Sequence, residues 1–242
     1  MSESARAEPR IGTAGWSIPR QHAAAFPAGG SHLERYAQRF NAVEINSSFY
    51  RPHRRATYQR WAASVPTGFT FAVKAPRTIT HDLRLAGADA ALKAFLDQAT
   101  GLGSKLGVLL FQLPPRFAFE RDAVATFFRA LRRRHDGPVA CEPRHAGWFT
   151  AEAEALLIEH RIARVAADPA VVPPAAEPGG SNALRYFRLH GSPRVYRSNY
   201  EPDRIAHYAA RVTPAAWCIF DNTTEAAATG NALTLAAIMR AT

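Results

Sequence analysis

Short apolar runs alternate with amphipathic, helix-length segments along the whole chain. IGTAGW (11–16) is the first run, and SHLERYAQRF (31–40) follows with Ser31 and Glu34 at the spacing of a helix capping box. FNAVEINSS (40–48) reads as a second strand, RRATYQRWAAS (54–64) as a helix, and FTFAVKAP (69–76) as a third strand rich in aromatic and branched residues. A helix over 89–100, the run KLGVLLFQLPP (105–115), a helix over 121–134 and the run PVACEPRH (138–145) continue the alternation. Thr150 is placed to cap the helix AEAEALLIEHR (151–161), and ARVAADPA (163–170) is a sixth strand. The period then breaks, because VVPPAAEPGGSN (171–182) is too rich in proline and glycine for a regular helix. LRYFRLHG (184–191), a helix over 202–212, WCIFDNT (217–223) and a helix over 225–239 complete the pattern.

Eight strands with intervening helices predict a single (β/α)8 barrel over 11–242 with an irregular sixth helix region, preceded by a disordered tail over 1–10. A doubly wound open sheet is the alternative. The barrel is preferred because nearly every strand begins apolar and ends polar, whereas an open sheet gathers ligand contacts at its switch point. Strand residues two apart share a face. Phe69, Phe71 and Val73 form a bulky row suited to face the helices, leaving Ala72 and Lys74 toward the axis. The same parity points Glu44, Asn46, Gln112, Glu142, Arg144, Asp168, Arg188, His190 and Asp221 into the mouth, with Arg164 and Ala166 sharing the Asp168 row, Tyr186 sharing the Arg188 row and Cys141 facing outward. Pro143 ends or bulges the fifth strand, and His145 stands on the rim.

Composition narrows the class. No apolar run reaches the ~18 residues of a membrane span, and MSESARAEPR has no secretory h-region. Cys141 and Cys218 sit in apolar runs and read as buried free thiols, which fits a reducing cytoplasm. The net charge of +10 raises nucleic acid as a partner, but only Lys74, Lys93 and Lys105 are lysines and the rest of the cations are arginine. Arginine and alanine enrichment of this kind also follows from GC-rich coding, and the run Arg132–Arg134 closes a helix where cations favour the dipole. No GxGxxG, P-loop or GxSxG pattern is present.

In order along the chain, AGW, VEINSSFYR, FAVKAPRTITH, KLGVLLFQLPP, ACEPRHAGWF, YFRLHGS and IFDNT resemble the domain of unknown function 72 family, also called YecE-like, from about Ile11 to Ile238. The resemblance implies a TIM barrel and no particular reaction. Comparison of that fold with sugar isomerases and endonuclease IV-type barrels is analogy of fold.

The candidate catalytic groups are Glu44, Lys74, Glu142, His145, Asp168, His190 and Asp221. A carboxylate beside arginine stays ionised and acts as a base, one in an apolar setting acts as an acid, and the histidines move protons. Candidate ligand contacts are Trp16, Asn46, Tyr50, Arg51, His81, Gln112, Arg144, Trp148, Arg188, Ser192 and Asn222, with Phe49 and His53 in the same loops. The exit RLHGSPRVYR joins Arg188, His190, Gly191, Ser192, Arg194 and Arg197 where barrels of this kind hold phosphate. Lys74 reads as an ion-paired lysine, with a Schiff base as its second reading. No cofactor is expected. The acids and His190 are ligand types for a divalent metal, but Lys74, Arg144 and Arg188 already neutralise them and no HxH, HxxxH or HExxH spacing occurs. The expected partner is a small anionic or sugar-like, phosphorylated metabolite, met by acid–base chemistry of hydrolase or isomerase type. A nucleic-acid-binding or repair protein, or a non-catalytic binding protein, is the alternative; nothing in the sequence sets the oligomeric state.

Overall fold

Strands and helices follow the order that the hydrophobic pattern predicts, apart from an added helix after the second strand and a run of short strands through the sixth repeat. The computed structural model describes residues 8–241, so the first seven residues of the expected tail lie outside the described residues. Arg10 is not tail: it opens strand β1 (Arg10–Thr13). Then follow α1 (His32–Tyr36), β2 (Ala42–Ile45), α2 (Ser47–Tyr50), α3 (Arg55–Ala63), β3 (Thr70–Lys74), α4 (Asp89–Ala99) and β4 (Leu106–Gln112). The second half runs α5 (Arg121–Arg132), β5 (Val139–Glu142), α6 (Ala151–Glu159), β6 (Ala163–Arg164), β7 (Ala166–Asp168), β8 (Gly179–Gly180), β9 (Tyr186–Leu189), α7 (Pro202–Ala209), β10 (Trp217–Phe220) and α8 (Ala227–Ala241). Local chemistry accounts for the starts of two helices. The Ser31–Glu34 capping box is formed on both sides, and the Thr150 hydroxyl accepts from the Ala153 amide. α2 was missed: residues read as the end of a strand turn into a helix at Ser47, where the Ser48 hydroxyl bonds the carbonyls of Ile45 and Lys74 and pins the turn to β3.

The fold is mixed α/β with mainly parallel pairing, arranged as two sheets in the orders β1-β10-β9-β7 and β2-β3-β4-β5-β6-β8. The expected (β/α)8 barrel is matched at the level of a mixed α/β fold with mainly parallel strands, and the pairing among the described residues does not close into one barrel. The sixth strand is split at Val165: its first half pairs with β5 and with the short antiparallel β8, and its second half pairs with β9. β8 and a 3-10 turn over Pro173–Ala176 occupy the proline- and glycine-rich stretch predicted to replace the sixth helix. The sheets approach each other again at an Ala14–Glu44 bridge, where the Gly15 amide also donates to the Glu44 carbonyl.

Side chains sort into two cores. Inward-facing Ala42, Ala72, Val108, Leu110, Ala140, Ala163, Val165, Tyr186, Trp217 and Ile219 from both sheets form one cluster. The other lies between sheets and helices and includes Phe71, Val73, Phe111, Cys141, Phe187 and Leu189. Cys141 and Cys218 are buried free thiols. Among the described residues no helix is long and apolar enough to cross a membrane. β1 packs so closely on β2 that a Cβ at Gly12 would lie 2.1 Å from the Ala42 carbonyl oxygen. Backbone cannot swing aside as a side chain can, so Gly12→Ala is expected to cost at least about 2 kcal/mol in a urea unfolding series; an unchanged midpoint would show that β1 can shift.

Candidate functional site

Parallel strands in register bring their C-terminal side chains to one end of the sheets, and most of the charges singled out in the sequence meet there. Arg188 on β9 is fully buried and is the hub. Its guanidinium donates from Nε to Glu44 Oε2 (3.0 Å), from Nη2 to Glu44 Oε1 (2.6 Å) and Asp221 Oδ2 (2.9 Å), and from Nη1 to Glu142 Oε2 (2.5 Å). The Tyr186 hydroxyl, two residues earlier on the same face, donates to Glu44 Oε2 at 2.9 Å. His190, two residues later, sets Nδ1 3.0 Å from Asp221 Oδ2 and Nε2 2.9 Å from Glu142 Oε1. Arg144 donates from Nε to Glu142 Oε1 at 2.6 Å and brings Nη2 to 2.9 Å from His190 Nε2. That nitrogen can donate to Glu142 or accept from Arg144, but not both, so the imidazole proton selects between two hydrogen-bond patterns.

Burial pushes the Glu142 carboxyl up, but Arg144, Arg188 and His190 together outweigh it and hold it well below the usual carboxylate range. Asp221 is lowered for similar reasons: Arg188, His190 and Lys74 overcome its burial. Lys74 ends β3 nearly buried, with Nζ 4.3 Å from the centre of the Phe49 ring and no hydrogen bond or ion pair among the described residues. Burial first and Arg188 second push its amine down to about 8, against the pull of Glu44, Asp221 and Glu142. His81 packs edge-on to the same Phe49 ring at 4.9 Å and is lowered by burial and by Lys74. Three carboxylates and two arginines leave one negative charge, which one proton on His190 or Lys74 balances. A proton on both leaves a surplus cation, and this is the setting for moving a proton or holding an anion.

A family model described as "Protein of unknown function DUF72" matches residues 10–242. The chain belongs to this family. Relatives of this DUF72 chain include the UPF0759 protein YunF of Bacillus subtilis, 30% identical over 149 residues that make up 58% of this chain and 52% of the relative. The UPF0759 protein YecE of Escherichia coli K12 is 33% identical over 140 residues, 57% of this chain and 49% of the relative. The matched region thus spans about half the length of these curated relatives. A DUF72 family protein of Enterococcus faecalis superposes with a TM-score of 0.80 at 21% identity, over 96% of this chain and 95% of that one. One from Thermotoga maritima gives 0.76 at 22% identity, over 96% and 99%. A 3-keto-L-gulonate-6-phosphate decarboxylase of Vibrio cholerae gives 0.53 at 12% identity, over 97% and 98%. These likenesses show the fold.

The DUF72 structure brings Glu44, Glu142, Arg144, Arg188, His190 and Asp221 together, as the parity argument places them. Asn46 borders the cluster, its Nδ2 3.4 Å from Asp221 Oδ1, and with Trp16 it lines an adjoining cleft of about 250 Å³. Gln112 is buried beside Glu142 in register, its amide donating to the Leu113 carbonyl. Tyr50 ends α2 and Arg51 caps it, and both are exposed.

Five of the predicted site residues lie apart from this cluster. Asp168 does share a face with Arg164 and Ala166, but that face meets the helices. Ala167 pairs with inward Arg188 and Asp168 with outward Leu189, and the Asp168 carboxylate binds Arg204 of α7 at 2.9 Å. Trp148 is not on the rim; its ring is fully buried against Phe117 and Phe119, with Nε1 donating to the Phe117 carbonyl. Asn222 turns away to the Ser198 carbonyl and Asn231. His145 caps the turn over Ala146–Trp148 through Nδ1 and the Gly147 amide and does not join His190. Ser192 is exposed in a separate cleft of about 640 Å³ lined also by Arg194 and Arg197, both of which pair with Glu225. Among the described residues no group of three His, Cys, Asp or Glu side chains is arranged to hold a metal ion, since Arg188 stands among the acids.

Two residues of the site were not singled out. Tyr186 was legible from its position two before Arg188. Tyr196, whose ring covers His190 edge-on at 5.6 Å, lies in a loop without a period and gave no signal.

Because Glu142 and Asp221 are held below their unfolded values, folding releases protons in mild acid. Their contribution to stability is complete above about pH 5 and disappears as pH falls through the folded values, so the urea midpoint drops on acidification below that point. Arg188→Met strands three buried carboxylates and is expected to cost about 3–5 kcal/mol at neutral pH. It also reverses the pH trend: the freed carboxyls take up protons on folding, and the variant regains stability between about pH 7 and pH 5. A variant with the wild-type pH slope would disprove the hub role.

Proposed function

We propose that the two sheets act together as one (β/α)8 barrel whose strand ends bind a small anionic or sugar-like, phosphorylated metabolite and exchange protons with it. Lys74 Nζ and Arg144 Nη1 are the observation that carries this reading. They are cationic donors at the same end of the sheets, and neither has a partner among the described residues. An oxyanion supplies the missing acceptors and neutralises the surplus charge that a second proton brings to the cluster. His190, held between Asp221 and Glu142 and bridged to Arg144, is the proton-transfer group. Glu44 is fully occupied by Arg188 and Tyr186 and serves to position them. The fold neighbour named as a sugar-phosphate decarboxylase is in keeping with such a ligand.

Isothermal titration with inorganic phosphate and glycerol 3-phosphate tests the reading. Binding is expected in the wild type. Arg144→Met is expected to weaken it at least about tenfold, or about 1.4 kcal/mol. Absence of binding in the wild type, or equal affinity in the variant, would count against an anion site here.

A further inference from the structure

Lysine is rare in this chain, and its three occurrences have different surroundings. Of 30 cationic residues only Lys74, Lys93 and Lys105 are lysine. Lys93 pairs with Asp97 at 2.7 Å on an exposed helix face. Lys105 donates to the carbonyls of Ala62 and Val65 and ties α3 to the start of β4. Lys74 alone of the three is nearly buried with an amine that has no hydrogen bond or ion pair among the described residues, set over an aromatic ring at the strand ends. Arginine serves almost everywhere else that this protein needs a cation, and it binds oxyanions more firmly through its planar fork. What arginine lacks is a proton it can lose at accessible pH, and a free amine is the one property that sets lysine apart at this position.

We propose that the Lys74 amine is a carbonyl-reactive nucleophile that forms an iminium with an aldehyde or ketone bound at the strand ends. The proposal rests on the reading of this region as a small-molecule site and names the reactive group of the ligand. The neutral Nζ lone pair attacks the carbonyl carbon, and the C=O π pair moves to oxygen. A proton passes from nitrogen to that oxygen, and the oxygen, protonated again, leaves as water while C=N forms. No oxidant or reductant is consumed. Burial and the Arg188 charge favour the neutral amine and outweigh the opposing pull of Glu44, Asp221, Glu142 and the Phe49 ring face, which offers no lone-pair acceptor. With its amine near 8, Lys74 holds roughly two hundredfold more neutral amine at pH 7 than an unperturbed lysine.

The test is reductive trapping of the full chain with glyceraldehyde and, separately, glyceraldehyde 3-phosphate in the presence of cyanoborohydride, read by intact mass and peptide mapping. Lys74 is expected to be modified at least about tenfold faster than Lys93 or Lys105 at pH 7, with a rate that levels off above about pH 8. Lys74→Arg, which keeps the charge, and Lys74→Met, which keeps the stem over Phe49, should both lose the fast adduct while circular dichroism stays native. Modification of Lys74 no faster than Lys93, or a rate that climbs to pH 10 as for an ordinary lysine, overturns the proposal. The two readings fail separately. A fast Lys74 adduct with uncharged glyceraldehyde and no phosphate binding sustains this inference and removes the anion site, and phosphate binding without an adduct does the reverse.

Discussion

One buried guanidinium organises this protein. Arg188 has no access to water, and its donors are answered by Glu44, Glu142 and Asp221 from three other strands. A charge at that depth is tolerated only when its partners are already in place, so the hub demands that β2, β5, β9 and β10 end at the same level. Residue pairing along the strands provides this: Ile219 stands beside Arg188, and Gln112 beside Glu142. Below the hub the interior is closed by small and apolar residues, among them Ala42, Ala72 and Ala140, with the Tyr186 and Trp217 rings stacked at 5.7 Å. The alanines leave room for the two rings, and the rings support the charged layer above them.

That layer is nearly saturated with hydrogen bonds, which separates scaffold from chemistry. Glu44 and Arg188 are committed to each other, whereas His190, Arg144 and Lys74 have alternatives open to them. His190 Nε2 faces both a carboxylate and a guanidinium. Among the described residues Arg144 Nη1 has no hydrogen-bond acceptor, and the Lys74 amine has none either. The satisfied groups fix the geometry of the cluster, and the unsatisfied ones are where the proposed ligand would find its donors.

Much of the site was legible because strands have a period of two. Placing Glu44, Glu142, Arg188 and Asp221 on inward rows needed only the apolar residues two positions before them to be read as core. Asp168 broke this period-two placement for a specific reason. In the sixth strand Ala163, Val165 and Ala167 share one row and Arg164, Ala166 and Asp168 the other, and the charge of Arg164 suited a polar mouth as well as the partner it has, Glu154 of α6. Trp148 and Asn222 were misplaced because they follow strand ends, where the period no longer applies and loop geometry sets direction.

The sequence by itself determined the alternation of strands and helices, the two helix caps and the grouping of charges at one end of the strands, since each follows from local spacing. Tertiary structure alone decided that pairing divides into two sheets at Val165, that Asp168 turns to Arg204, that Tyr196 lies over His190 and that the Lys74 amine has no hydrogen bond or ion pair among the described residues. Those outcomes depend on contacts between residues far apart in the chain. Which of several nearby acids and bases claim one another is settled only when the strands lie side by side.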